Sequence, residues 1–139
     1  MKLHVFTYGS LMFAPVWQRV VQGRYHCIKA TLFGYQRFAV SGEAYPGILV
    51  HSGGAADAQV AGLVYLDVDA DDLLRLDRFE GEDYRRCTVG VHTDAAAPAL
   101  PAQTYVYNHA ARLSEQAWNP QDFALEQFMA SYCHDTPGD

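Results

Sequence analysis

The chain has 139 residues, half of them hydrophobic, and ten Lys and Arg against sixteen Asp and Glu give it a formal net charge of -6. That size and apolar fraction suit one compact domain, and the few scattered cations form no stripe that could track a phosphate backbone, so no nucleic-acid partner is expected. No apolar run nears the roughly 20 residues that span a bilayer, and the N-terminus lacks the pattern of a signal peptide. No membrane association is therefore expected, and a cytoplasmic location is the default.

Leu3 to Tyr8 alternates in hydropathy and reads as a strand that stops at Gly9-Ser10, where a turn forms easily. Pro15 fits a first helical turn. Phe13, Val16, Trp17, Val20 and Val21 then recur at helical spacing, which predicts a short amphipathic helix ending at Gly23. From Tyr25 to Leu49, β-branched and aromatic residues broken at Gly34, Ser41-Gly42 and Pro46-Gly47 predict three strands. His51 to Asp57 reads as a turn and Gln59 to Val68 as a further strand. Asp69 to Asp72 is an acidic opening suited to the positive end of a helix, which Leu73, Leu74, Leu76 and Phe79 carry to Gly81. Tyr84 to His92 and Gln103 to Tyr107 predict two more strands, with Ala95 to Ala102 and Asn108 to Trp118 reading as loops. Asn119-Pro120 caps a last helix with an apolar stripe of Leu125, Phe128, Met129 and Tyr132.

Seven strands and three helices in this order do not alternate regularly, which disfavours a doubly wound parallel sheet. They favour an α+β domain whose strands could close into a barrel. Cys27, Cys87 and Cys133 are odd in number and lack any C-x-x-C pairing, and the six histidines show no metal-ligand spacing, so neither disulfides nor a metal is expected.

Two segments carry chemistry: Tyr8-Gly9-Ser10-Leu11 after the first strand, and Asp77-x-x-Glu80-Gly81-x-x-Tyr84-x-Arg86 after the second helix. In this order and separation they resemble the gamma-glutamylcyclotransferase-like superfamily, in its plant avirulence-induced-protein-like and gamma-glutamylamine cyclotransferase-like branch. The likeness extends over the strands around Pro46-Gly47 and Tyr105-Val106-Tyr107. It implies a mixed, closed or nearly closed barrel of six or seven strands flanked by short helices. It also implies a cofactor-free reaction that converts a small γ-glutamyl amide, amine or peptide to 5-oxoproline and a free amine. Glu80 would be the general acid/base, the amides of Gly9, Ser10 and Leu11 would cradle the glutamyl head group beside Tyr8, and Tyr84, Arg86 and Tyr107 would line the pocket.

An α-ammonium with a reference pKa of about 8 is not a nucleophile until a base takes its proton, and a solvated glutamate near 4.3 is a poor base, so a value of roughly 6 to 7 is expected for Glu80. The negative end of the helix and neighbouring Glu82 and Asp83 would raise it. Arg78, Arg85 or Arg86 would lower it if one pointed at the carboxylate, and the sequence leaves that open. Two other readings compete: a binding or regulatory module of the same fold without turnover, and a hydrolase using Ser10 or a cysteine. The second lacks a G-x-S-x-G elbow and an assignable His or Asp. Neither the group on the γ-nitrogen nor the oligomeric state is legible.

Overall fold

The computed structural model describes residues 2–41, 45–50, 58–94 and 98–118. Its strands are β1 (Lys2–Thr7), β2 (Cys27–Phe33), β3 (Tyr35–Val40), β4 (Pro46–Val50), β5 (Gln59–Asp69), β6 (Tyr84–Val91), β7 (Leu100–Tyr107) and β8 (Leu113–Ala117). Two α-helices, α1 (Ala14–Val20) and α2 (Ala70–Glu80), and three single 3-10 turns at Ser10–Met12, Gly81–Asp83 and Ala110–Arg112 complete the described elements. The last predicted helix and the His51 to Asp57 turn lie outside the described residues.

The strands form a five-stranded mixed sheet in the order β2-β5-β1-β7-β6 and a three-stranded sheet in the order β4-β3-β8. β1 runs antiparallel to β5 and parallel to β7. This is an α+β arrangement with a mixed sheet. The described strands do not share one continuous barrel ladder, but β2 is bridged to the residue that follows β6. There Thr31 and His92 exchange N–H···O bonds of 2.8 and 2.9 Å.

Strand alternation sorts the central residues into two cores. Val5, Tyr65, Val68 and Tyr105 face the helices and pack with Val16, Trp17, Val20, Leu73 and Leu76, with Trp17 stacked on Tyr65 at 3.7 Å between ring centroids. Phe6, Val60, Val64 and Val106 face the other way and pack with Ile48 of the smaller sheet. Near the end of β5 the register to β1 shifts between Leu3 and Val5, and Asp67 takes a positive φ of 54°. The extra residue returns Val68 to the helix side.

The expected break at Gly34 is present, but it does not make a hairpin. With φ at 85°, Gly34 turns the chain from β2 in one sheet into β3 in the other. β7 starts at Leu100, inside the stretch expected to be a loop, because β6 offers partners as far as Val91↔Leu100 and Pro101 sits near the strand start, where a missing N–H is tolerated. β8 likewise replaces part of the loop expected over Asn108 to Trp118, held by pairing with β3 rather than by an apolar pattern of its own.

Candidate active site

One cavity of about 590 Å³ opens between the end of β1, the end of α2, the start of β4, the start of β6 and the side of α1. The first wall is the turn after β1. Met12 N–H donates to Gly9 O at 3.0 Å and Phe13 N–H to Ser10 O at 3.1 Å, whereas the N–H groups of Gly9, Ser10 and Leu11 have no acceptor among the described residues. Gly9 is dictated by a close approach: a Cβ there would lie 2.8 Å from Cγ of Pro46. Beneath the turn Tyr8 is buried; its hydroxyl donates to Tyr105 O at 2.5 Å, and its own carbonyl accepts from the Arg37 guanidinium at 2.7 Å.

The facing wall comes from α2 and β6. Asp69 caps α2 by accepting from Asp72 N–H at 2.9 Å, and Gly81 ends the helix with φ at 73°, a left-handed conformation that only glycine takes without strain. Glu80, the last helical residue, lines the cavity with Phe79, and its carboxyl has no hydrogen bond or ion pair among the described residues. Burial, and after it the charge of Asp77 one turn earlier, push that carboxyl up to about 8. This lies above the roughly 6 to 7 expected from the needs of a general base, in the same upward direction, with burial the larger cause.

Asp77 itself is engaged on two sides, accepting from Tyr105 Oη at 2.7 Å and from Arg86 Nε at 2.9 Å. Three phenols surround the carboxyl. Tyr84 Oη donates to Pro46 O at 2.6 Å. Burial first raises the pKa of each phenol, followed by Glu80 for Tyr8, by Tyr8 and Glu80 for Tyr84, and by Asp77 for Tyr105. All three stay neutral donors in ordinary buffers.

Of the residues singled out in the sequence, Tyr8, Gly9, Ser10, Leu11, Glu80 and Tyr84 come together around this cavity. Arg86 and Tyr107 lie behind its wall instead. Arg86 is drawn away by Asp77 and by Gln103 at 3.1 Å, and Tyr107 is buried with its ring 5.1 Å from that of Tyr84. Arg85 donates to Asn108 Oδ1 at 3.1 Å. Asp83 pairs with His109 at 2.9 Å. Sequence reasoning missed Tyr45, Pro46 and Tyr105 as lining residues, as well as Arg19 and Arg75. The alternation in Tyr105-Val106-Tyr107 pointed to the correct strand face, but Tyr105 is the residue on the wall.

A mixed sheet covered by two helices, with a small-molecule-sized cavity at the strand ends, defines the class as an α+β protein with a preformed cavity. The family model described as "Gamma-glutamyl cyclotransferase, AIG2-like" matches residues 5–124, and the chain belongs to that family. It is 34% identical over 108 residues to AIG2-like protein A of Arabidopsis thaliana, a match that covers 77% of this chain and 63% of the relative. The chain thus spans a little under two thirds of that relative's length. A solution structure of an Arabidopsis thaliana protein superposes with a TM-score of 0.69 at 28% identity, covering 95% of this chain and 89% of that one. A structure titled gamma-glutamyl cyclotransferase shares the fold, with a TM-score of 0.63 at 16% identity over 82% of this chain and 69% of its own.

Proposed function

We propose that the chain converts a γ-glutamyl amide, amine or peptide into 5-oxoproline and the free amine, with Glu80 as the single proton carrier. The observation that carries the reading is the Glu80 carboxyl, half-buried on the cavity wall without a partner among the described residues and raised to about 8, in the same cavity as the open amides of Gly9, Ser10 and Leu11.

The substrate supplies its own nucleophile, so the protein needs to orient, deprotonate and stabilise. Ionised Glu80 takes a proton from the α-ammonium, and the α-nitrogen then adds to the γ-carbonyl carbon. The oxyanion that develops meets backbone N–H donors that need no reorganisation. As the bond from the γ-carbon to the departing nitrogen breaks, protonated Glu80 gives that nitrogen a proton. The second proton shed by the α-nitrogen leaves to solvent or to the freed amine. A carboxyl near 8 matches an α-ammonium near 8, so neither transfer is strongly uphill. Neutral Tyr8 and Tyr84 wall the site and keep water from competing for these protons.

Mass spectrometry of 5-oxoproline formed from a panel of γ-glutamyl amines and dipeptides tests this. Glu80→Gln should lose about 10²- to 10⁴-fold in kcat/KM. Equal rates for wild type and variant would sink the assignment, and a protein that binds 5-oxoproline but forms none would be the non-catalytic module.

A further inference from the structure

Three arginines line the rim of the cavity although the chain carries a formal net charge of -6. Arg19 of α1 lines it together with Arg75 and Arg78 of α2, which lie one helical turn apart on the same face. The two acids of the cavity do not pair with Arg78. Asp83 is held by His109 at 2.9 Å and Arg112 at 3.6 Å, and Glu80 makes no ion pair among the described residues. Arg75 is committed to Asp72 at 2.6 Å. Arg78 is exposed, lines the cavity, and has neither an ion pair nor a hydrogen bond among the described residues.

A guanidinium keeps its charge at every working pH and presents a planar fork that matches a carboxylate. The glutamyl head group brings one carboxylate to any member of the substrate class. What differs is the departing amine, which carries a second carboxylate when it is an amino acid or peptide and none when it is a simple amine. We propose that Arg78, flanked by Arg75 and Arg19, reads that second carboxylate. It would select γ-glutamyl compounds whose departing amine is an amino acid over those whose departing amine is uncharged or cationic. The inference rests on the cyclotransfer reading above and narrows what hangs from the γ-nitrogen.

The test is a matched pair, γ-glutamylalanine and γ-glutamylethylamide, which differ by one carboxylate, with 5-oxoproline as the readout. Wild type should favour the alanine compound by about 10-fold or more in kcat/KM, the scale of a charge-assisted hydrogen bond. Arg78→Gln should bring the ratio towards one, and Arg78→Lys should keep part of it. Equal rates for the pair in wild type, or a preference for the ethylamide, overturn the inference and leave cyclotransfer standing. If Arg78→Gln lowers both compounds by the same factor, the arginine holds the head group's own carboxylate and the inference is again overturned. No 5-oxoproline from either compound overturns the proposed function and this inference with it.

Discussion

Asp72 and Glu80 sit near opposite ends of α2, the first fully buried and the second half-buried on the cavity wall, and their carboxyls are shifted in opposite directions. Burial acts to raise Asp72, but Tyr25 Oη at 2.6 Å, the Gln22 and Gly23 N–H groups at 2.9 Å each and the Arg75 guanidinium at 2.6 Å outweigh it and hold the carboxyl below its ordinary value. Glu80 receives no such donor, and burial with the Asp77 charge carries it up to about 8. The helix dipole reinforces both outcomes, favouring an anion near the N-terminus and opposing one at the C-terminus. Removal from water therefore does not decide what a carboxyl does. The number of donors aimed at it does: a saturated carboxylate ties α2 to the segment after α1, and an unsaturated one is available to move a proton.

The largest effect should come from breaking the saturated end. Asp72→Asn removes the charge that four donors converge on and should cost about 3 to 5 kcal/mol of unfolding free energy in urea titrations, the range for a disrupted buried ion pair. A loss below about 1 kcal/mol would mean those hydrogen bonds are not what holds the helix.

Next in size is the pH response. Because Glu80 is raised in the folded state, its contribution to stability is fully present below its unfolded value of about 4.3 and is lost as pH climbs through about 8, at up to about 1.4 kcal/mol per pH unit. Glu80→Gln should flatten that limb, so thermal melts should show the variant more stable than wild type at pH 9. Asp72, being lowered, contributes in the opposite sense: its stabilisation is present above the unfolded value and disappears as pH falls through the depressed folded one. Parallel pH profiles for the two variants would erase the contrast between the helix ends.

The smallest effect concerns the facing wall. Gly9→Ala puts a methyl group against the Pro46 ring and displaces the open amides, so kcat/KM should drop about 10- to 100-fold with little change in melting temperature. An unchanged rate would show that those amides do not meet the reacting atoms.

Much of this was legible before any coordinates. Periodicity located β1, α1, the β2–β4 series, β5, α2 and β6, because each of these elements buries one face against a core. Two ordered motifs brought Glu80 and the Tyr8 to Leu11 turn together. The rest depended on partners remote in sequence. Gly34 looks the same whether it turns a hairpin or redirects the chain between sheets, and Leu113–Ala117 is a strand only because β3 lies beside it. Tyr105 and Tyr107 share a strand face, and only the position of Asp77 and the cavity distinguishes them. The directions of Arg85 and Arg86 followed from acceptors that no local pattern names, and Arg78 was placed on the cavity without one among the described residues.

The bridge between Thr31 and His92 has a consequence away from the cavity. A bare outer strand offers a row of unmet N–H and C=O groups on which another molecule can add a strand, the first step of fibre growth. Here His92, just past the end of β6, pairs with Thr31 midway along β2, so the outer edge of β2 does not present an unbroken template to a second copy.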